Sequence, residues 1–503
     1  MDFFNHLVLG FSVALTLQNL IYGLVGAVIG TAVGVLPGLG PVATIAMLLP
    51  ATFTLEPTSA LIMLAGIYYG AQYGGSTTAI LVNLPGETSS IVTTLDGYKL
   101  ARQGRAGEAL LVAALGSFFA GTVATCLIAA CAPFLAEVAL EFGPPEYFSL
   151  MVLGLIAAVV LAHGSVLKAV TMIVLGLLLG LVGTDVTSGT FRFTFGVPEL
   201  SDGIDFVAVA MGLFGIAEIM TNVSQPDEER TILPGMGAWS ITWEDFKRSA
   251  RACVRGTALG SLLGVLPGGG AVLGSFASYT LEKKLSKEPW RFGQGAIEGV
   301  AGPESANNAA AQTCFIPMLT LGLPSNATMA MMLGALTIHS IQPGPEVMTG
   351  NPALFWGLIA SMWVGNAMLV ILNLPLIGVW VRLLSVRYRF LYPAILVLCC
   401  IGVYSVSNSA FLVYFTAFFG VLGYVFAKLD CEPAPMLLGF VLGPLMEENL
   451  RRAMLLSRGD PSVFLRRPLS ATLLVLALLL LAVVVAPSVA RRRAATFEEV
   501  HDA

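Results

Sequence analysis

Two stretches of this sequence place polar side chains inside otherwise apolar segments. They are "YYGAQYGGSTTAILVNLPGE" and "AGPESANNAAAQTCFIPMLTLGLPSNAT". Hydroxyl and amide groups donate hydrogen bonds to a carboxylate, and their oxygens accept from a donor or bind a cation. An unpaired polar group in lipid is costly, so we predict that both clusters line a polar cavity. A single Ser or Thr usually bonds to its own helix, so a structural role for each is the alternative. The candidate ligands for substrate or ion are Ser76, Thr77, Thr78, Asn83, Glu304, Ser305, Asn307, Asn308, Ser325 and Asn326.

A second feature is a pair of Gly-Pro breaks in apolar sequence. Gly34 to Gly38 has the sequence GVLPG, and the same five residues recur from Gly264 to Gly268. A broken helix exposes an N-terminus that attracts anions, and glycine lets a ligand approach the backbone closely. A tight turn between packed helices is the alternative interpretation. The candidate binding residues at the breaks are Pro37, Gly38, Gly40, Pro267, Gly268 and Gly269.

Composition identifies the elements that must position these residues. Hydrophobic residues make up 56% of the chain, charged residues only 11%, and the mean hydropathy is +0.82. A soluble domain has about 25% charged residues. Many apolar runs approach the ~20 residues that a transmembrane helix needs. We therefore predict an all-α polytopic membrane protein embedded in a lipid bilayer.

The charged residues and cysteines exclude several function classes. No basic stripe with interleaved aromatic residues suggests a nucleic-acid partner. The cysteines show no metal-ligand spacing, and no HExxH, GxSxG or Walker A motif is present. The sequence therefore predicts neither an enzyme nor a bound metal or organic cofactor. Glu304 is the acidic residue inside a polar run, which suits an ion or proton site, with a structural hydrogen bond as the equal alternative.

Three features recur in the same order and predict an internal duplication. They are the segment before each GVLPG motif, the motif itself, and the pair "VNLPGETS" and "LGLPSNAT". We assign residues 1–221 to an N-terminal membrane repeat and 222–251 to a polar cytoplasmic linker. Residues 252–446 form the C-terminal repeat, and 447–503 hold a basic loop, a final transmembrane helix and a tail.

Basic residues in the loops indicate how the two repeats are oriented, because Lys and Arg concentrate on the cytoplasmic side. Residues 51–58 contain none, whereas the equivalent region 283–291 is basic. Residues 99–105 are basic, whereas their counterpart "HSIQPGPEVMTGNP" is not. The loop at 140–147 contrasts in the same way with 382–389. This reversal predicts two inverted-topology repeats, with two parallel halves as the alternative.

Inverted repeats with broken helices are typical of secondary transporters, whose sites lie near the bilayer midplane. The two apolar segments that flank each break are too short to form two transmembrane helices. They are 19–36 with 41–50, and 252–266 with 271–281. We therefore expect re-entrant hairpins that enter from opposite faces. A continuous helix kinked at proline is the alternative.

The same residues resemble the large membrane subunit, TctA type, of the tripartite tricarboxylate transporters. The resemblance rests on "GVLPGLGP", "RGTALGSLLGVLPGGG", both polar stretches and the late "GPLMEENLRRAMLLSRGD". It implies a multi-pass permease of the bacterial inner membrane that imports carboxylates with a coupling cation, Na⁺ or H⁺. It also implies two partners, a small TctB-like membrane subunit and a periplasmic TctC-like solute-binding protein. A channel-like pore for small organic anions is the alternative function.

Overall fold

The computed structural model describes residues 3–36, 40–161, 165–185, 188–223, 239–266, 270–384 and 388–485. Almost all of this part of the chain is helical, which agrees with the predicted all-α membrane protein. A short antiparallel ribbon is the exception, with β1 at Gly183–Thr184 and β2 at Phe191–Arg192.

The first half of the chain contains ten α-helices within the described residues. They are α1 (Phe3–Ala14), α2 (Leu17–Val35), α3 (Pro41–Thr52), α4 (Pro57–Val82), α5 (Ile91–Leu100), α6 (Ala106–Leu140), α7 (Pro144–Leu161), α8 (Val166–Gly180), α9 (Phe206–Ala210) and α10 (Ala217–Val223). A 3₁₀ turn at Thr88–Ser90 precedes α5, and a π-helical turn at Met211–Ile216 joins α9 to α10.

The second half begins inside the segment predicted as a linker, because its first helix starts at Trp243. The helices are α11 (Trp243–Gly264), α12 (Gly270–Leu285), α13 (Glu298–Thr313), α14 (Phe315–Leu321), α15 (Ala327–Ile338), α16 (Pro345–Gly350), α17 (Pro352–Asn373), α18 (Ile377–Leu384), α19 (Tyr388–Ser407), α20 (Ala410–Lys428), α21 (Pro433–Leu456), α22 (Val463–Arg466) and α23 (Pro468–Val485).

Five segments of the described chain are long and apolar enough to cross a membrane. They are Leu17–Val35, Thr88–Cys131, Phe206–Val223, Pro352–Asn373 and Ala410–Lys428. Several shorter apolar helices, such as α3 and α15, lie between them and are largely buried by the rest of the protein. The protein is therefore a membrane protein with short helices in its interior.

A stripe of glycines explains how closely α2 and α4 approach. Gly26, Gly30 and Gly34 are four residues apart, so they share one face of α2. A Cβ atom at these positions would lie 2.2, 2.3 and 2.3 Å from carbonyl oxygens of α4. Only glycine permits this backbone contact, as in the small-residue interfaces of membrane helices. The three carbonyls belong to Met63, Ile67 and Ala71.

The pair formed by α11 and α13 repeats this arrangement in the second half. Gly256, Gly260 and Gly264 have the same spacing, and a Cβ atom at each would lie 2.3, 2.1 and 2.5 Å from a carbonyl oxygen of α13. Gly34 and Gly264 occupy the same place in the two GVLPG motifs, so the stripes coincide with the sequence repeat. The three carbonyls belong to Gly302, Ala306 and Ala310, each 239 positions after its counterpart in α4.

Both halves break a second helix at the Leu-Pro sequences. The last helical residue is followed by a left-handed residue, Asn83 with φ 61° in one half and Gly322 with φ 69° in the other. A new helical segment then begins after an N-cap residue, Glu87 or Asn326. These breaks again lie 239 positions apart, so the duplication extends through them.

Equivalent helices of the two halves cross each other in opposite directions. In α4 and α13, Ser76 contacts Glu304, whereas the earlier Tyr68 contacts the later Cys314. Contacts between the halves also occur in equivalent pairs. The contact of α3 with α15 corresponds to that of α12 with the turn before α5. The contact of α6 with α13 corresponds to that of α17 with α4. Reciprocal contacts of this kind are expected around a two-fold axis.

The two GVLPG breaks lead to different packing. After the second break, α12 folds back along α11, with Gly270 against Gly264 and Gly274 near Gly260. After the first break, α3 contacts α4, α15 and α19 more than it contacts α2. The hairpin expected at both breaks is therefore present in the second half, and in the first half α3 takes a different direction.

An ion-pair network attaches the ribbon to the end of α21. Arg192 Nη1 lies 2.8 Å from Glu447 Oε1, and Arg451 Nη2 lies 2.9 Å from Asp185 Oδ2. Burial opposes the charge on Glu447, but the hydrogen bonds from Arg192 and Arg451 outweigh it and lower the pKa of this carboxyl. This network lies apart from the polar clusters.

Candidate functional site

Glu304 lies at the crossing of α4 and α13 and is fully buried. Its Oε2 accepts the hydroxyl of Ser76, and its Oε1 accepts the hydroxyl of Thr93. Thr93 is on α5, the helix that resumes after the Leu-Pro break. The crossing therefore brings together a carboxyl from the second half and two hydroxyl donors from the first; Ser76 and Glu304 belong to the two polar clusters, and Thr93 lies outside them.

Asn308 extends this network towards α6. Its Nδ2 donates to Ser117 Oγ at 2.7 Å and to the carbonyl of Glu304 at 3.0 Å. Nearby, the Tyr73 hydroxyl donates to Asn366 Oδ1 at 2.8 Å. Five helices, α4, α5, α6, α13 and α17, thus contribute polar groups to one buried region. Buried polar networks of this kind rigidify a protein interior when all their members are bonded.

A small cavity of about 10 Å³ adjoins this network. Such a volume is close to what a single water requires. Thr77 of the α4 polar cluster lines it, and most of the lining comes from α6 and α17. The lining residues are Tyr73, Ser76, Thr77, Leu110, Ala113, Ala114, Ser117 and Asn373.

Thr78 and Asn83 serve the ends of broken helices. The Thr78 hydroxyl donates to the carbonyl of Val35 at 2.9 Å and so satisfies the last turn of α2. Asn83 is the left-handed residue that ends α4, and its side chain is exposed. Asn suits position 83 because it tolerates positive φ better than most residues. Thr suits position 78 because its hydroxyl can donate a hydrogen bond.

The break in the second half is bonded internally. Asn326 Oδ1 caps α15 by accepting the Met329 N–H at 2.9 Å, and its Nδ2 donates to the Tyr68 hydroxyl at 3.2 Å. The Ser325 hydroxyl donates to the carbonyl of Cys314 at 3.4 Å. These two candidates therefore join α15 to α4 and α14.

Two further candidates on α13 lie in the protein interior. Ser305 is fully buried and packs against α6 at Gly116. Asn307 is also fully buried, and neither its Nδ2 nor its Oδ1 has a hydrogen-bond partner. Buried amides are nearly always bonded, so an unpartnered one calls for an explanation.

Gly40 occupies the start of α3, where the backbone N–H groups of a helix are free. Its N–H donates to Glu218 Oε1 at 3.3 Å, so an acidic side chain of α10 lies at this helix N-terminus. Glu218 is also close enough to Glu87 for the two carboxyls to interact electrostatically. The remaining break candidates, Pro37, Gly38, Pro267, Gly268 and Gly269, lie outside the described residues.

Asp96 connects the helix that carries Thr93 to the start of α13. Its fully buried Oδ1 accepts three backbone N–H groups, from Gly293, Gly295 and Ala296, at 2.7–2.8 Å. Its Oδ2 accepts the Tyr279 hydroxyl at 3.0 Å. Since Thr93 and Asp96 are three residues apart on one face of α5, this helix positions both the N-terminal end of α13 and Glu304.

Several of these residues carry little signal in the sequence. Ser117 and Asn366 are isolated polar residues on apolar helices, Thr93 is a polar residue of an amphipathic helix, and Tyr73 lies within the first polar stretch but was not among the candidates. Glu87 had a usable signal, because it stands in the Leu-Pro break at the position equivalent to the candidate Asn326. The described residues contain no group of three His, Cys, Asp or Glu side chains placed to hold a metal ion.

Residues 20–438 match the family model described as the tripartite tricarboxylate transporter TctA family. The chain belongs to this family. A TctA chain is a component of a transporter, so the resemblance carried by the breaks and polar runs is confirmed. The polar network and both pairs of helix breaks lie inside the matched region.

Two relatives from Agrobacterium vitis are similar to this TctA family member. One, described as an uncharacterised 52.8 kDa protein in the TAR-I ttuC' 3' region, is 60% identical over 500 residues, 99% of each chain. The other, an uncharacterised protein in the TAR-II ttuC' 3' region, is 61% identical over 240 residues. That match covers 48% of this chain and 99% of the relative. No solved structure matches the chain.

Proposed function

We propose that this protein is the permease subunit of an ion-gradient-driven secondary transporter that imports di- or tricarboxylates. The observation that carries the proposal is the buried network at the crossing of α4 and α13, where Glu304 bonds to Ser76 and Thr93. Membrane interiors disfavour such groups, and acidic residues there typically mark ion or proton pathways. The chain itself carries no catalytic motif, and we assign it no enzymatic activity.

The two repeats are proposed to have inverted topology. The antiparallel crossing of the equivalent helices α4 and α13 supports this, as do the reciprocal contacts between the halves. The loop charges, which reverse between the repeats, support the same orientation. Alternating access then follows from movement of one group of helices against the other around a site at the repeat interface.

The partners and the location are proposed from the family. TctA proteins are components of tripartite transporters. We propose that a small TctB-like membrane subunit and a periplasmic TctC-like solute-binding protein complete the assembly, and that the latter delivers the carboxylate. The assembly would then reside in the bacterial inner membrane and use Na⁺ or H⁺ as the coupling cation.

Uptake by the assembled transporter tests this function. The three proteins are co-purified, reconstituted in liposomes and supplied with labelled succinate, malate, tartrate or citrate under an imposed Na⁺ or pH gradient. We expect concentrative uptake of at least one carboxylate that collapses when the gradient is removed. Alanine at Ser76, Asn307 or Asn308 should abolish it without loss of expression, whereas Asn351→Ala, at an exposed helix N-cap, should not.

Counterflow separates a carrier from a channel-like pore. Unlabelled substrate inside the liposomes should stimulate uptake of labelled substrate only if one site is exposed to the two sides in turn. Gradient-independent flux without counterflow would identify a pore and contradict the proposal. Normal uptake by all three alanine variants would contradict the site assignment.

A further inference from the structure

Two pairs of equivalent positions make different hydrogen bonds in the two halves. The shift of 239 positions that relates α4 to α13 and α14 pairs Tyr68 with Asn307, and it pairs Glu87 with Asn326. In one arrangement, Tyr68 of the first half meets Asn326 of the second, and the Asn326 amide donates to the Tyr68 hydroxyl at 3.2 Å. The protein therefore satisfies these groups itself.

The reciprocal arrangement lacks such a bond. Asn307 is 0% exposed, and both its amide atoms are without a partner. Glu87 Oε1 is buried and unpartnered as well. An unsatisfied buried polar atom destabilises the fold, and a charged one does so more strongly, so two such groups from opposite halves point to an occupant that binds both.

Several contacts place these two groups in the same region. Gly75 is the counterpart of Cys314 in the first half. A Cβ atom on Gly75 would be 3.3 Å from the Cβ of Glu87. In the second half, Cys314 likewise lies against the residues of the break, Ser325 and Asn326. The turn that follows Glu87 packs on α13. By the approximate two-fold relation we therefore expect Glu87 to lie beside Asn307, as Asn326 lies beside Tyr68.

The charges around this position favour a cation. The helices α4, α13 and α14 and both Leu-Pro breaks contain no Lys, Arg or His. Glu218 is the nearest charged group identified around Glu87, and it adds a second carboxyl. The carboxylate of Glu87 and the amide oxygen of Asn307 are hard oxygen ligands, the type that alkali and alkaline-earth cations select over soft ligands.

We propose that Glu87 and Asn307 bind Na⁺ between the two halves, beside the Leu-Pro break of the first. Glu87 supplies charge, Asn307 supplies a neutral oxygen, and the carbonyl groups freed at the break supply further ligands. This site is separate from Glu304, whose two oxygens are already bonded to hydroxyl groups. The proposed Na⁺ site rests on the proposed function in one respect, since the bound Na⁺ would be the ion that drives carboxylate uptake.

Sodium binding is measurable without transport. The thermal unfolding midpoint Tm of the purified full-length protein is followed as NaCl replaces choline chloride at constant ionic strength, since a ligand of the folded state raises Tm. We expect Glu87→Gln and Asn307→Leu to weaken the apparent Na⁺ affinity at least tenfold. Asn307→Asp, which keeps an oxygen ligand, should retain it. If Asn307→Leu does not fold, the nearly isosteric Glu87→Gln carries the test.

Matched controls are available at two exposed helix N-caps. Glu56 and Asn351 make no side-chain capping bond, so Glu56→Gln and Asn351→Ala should keep the wild-type response. A wild-type Tm that does not respond to Na⁺, or an unchanged response in both Glu87→Gln and Asn307→Leu, would overturn the site. Sodium binding that depends on Glu87 in a protein without carboxylate uptake would retain the site and contradict the proposed function.

Discussion

Glu304 owes its position to hydroxyl groups from two different helices of the first half. Ser76 lies eight residues after Tyr68 on α4, and Thr93 lies beyond the break on α5, so Glu304 is bonded to both sides of one broken helix. A carboxylate held in this way accepts a hydrogen bond at each oxygen, and its removal takes an acceptor from both Ser76 and Thr93. Substitutions at Glu304 can therefore separate the effect of its negative charge on transport from the effect of its hydrogen bonds on stability.

Glu304→Gln should fold and lose concentrative uptake. The amide keeps the shape of the side chain but cannot ionise: its oxygen still accepts one hydroxyl, and its NH₂ group donates to the oxygen of the other. Glu304→Ala leaves the buried Thr93 hydroxyl unpaired, at a cost of about 1–3 kcal/mol in the free energy of unfolding, while Ser76 keeps its bond to the Gln72 carbonyl. Denaturation in detergent measures stability, and gradient-driven uptake measures function. Glu141→Gln, at an exposed loop residue, is the control. Full concentrative uptake by Glu304→Gln would show that ionisation of Glu304 has no part in transport.

The helices are brought together by glycine contacts that leave no room for a side chain. The stripes on α2 and α11 press against backbone carbonyls of α4 and α13, the helices that carry Ser76 and Glu304. Lipid offers no hydrophobic driving force between helices, so close van der Waals packing of this kind must supply the association energy. Asp96 complements it at the start of α13 with a fully buried, hydrogen-bonded carboxyl.

Replacing a glycine of the α2 or α11 stripe with alanine should lower the stability of the protein, although alanine at other helix positions usually raises it. In Gly260→Ala the new methyl group lies 2.1 Å from the carbonyl oxygen of Ala306, and overpacking of this kind costs about 1–3 kcal/mol. Gly378→Ala on α18 meets no atom within 4 Å and should gain up to about 1 kcal/mol from helix propensity. The two Tm values, measured in one detergent, should move in opposite directions. A lower Tm in both variants would contradict the role of the stripe.

The arrangement of the whole molecule follows from the crossing of equivalent helices. In the proposed inverted topology, which the antiparallel crossing of α4 and α13 supports, the loops that follow corresponding helices emerge on opposite sides. The Gln103 side-chain amide donates to the carbonyl of Gln294 at 2.8 Å. The basic loop 99–105 therefore lies at the same end of the molecule as the segment that directly follows the basic residues 283–291.

Labelling of introduced cysteines tests this topology. In a background without the native cysteines, Arg102→Cys and Lys284→Cys should react with an impermeant maleimide only in inside-out vesicles. Glu141→Cys and Gln342→Cys should react only in intact cells, because their loops belong to the opposite end. All four positions are exposed in the structure. Reaction of Arg102→Cys and Lys284→Cys from opposite sides would establish parallel repeats instead.

Much of this architecture is predictable because it is local. Apolar run lengths predict membrane helices, and α2 is long and apolar enough to cross a membrane. The repeated GVLPG sequence predicts where helices break, and α2 and α11 end within it. Ser76, Thr77, Glu304 and Asn308 stand out as well, because dense polar clusters in apolar sequence are chemically unusual. These properties depend on neighbours within a few residues, which the order of amino acids specifies directly.

Contacts between distant segments required the folded chain. Thr93 and Asp96 look like ordinary residues of an amphipathic helix, and only the packing of α5 on α13 brings one to Glu304 and the other to the start of that helix. The pairing that satisfies Asn326 but leaves Asn307 without a partner is likewise a property of two halves with nearly equivalent backbones and different side chains. A repeat in sequence predicts that equivalent helices exist, whereas the polar groups that meet depend on the angle and register at which those helices cross.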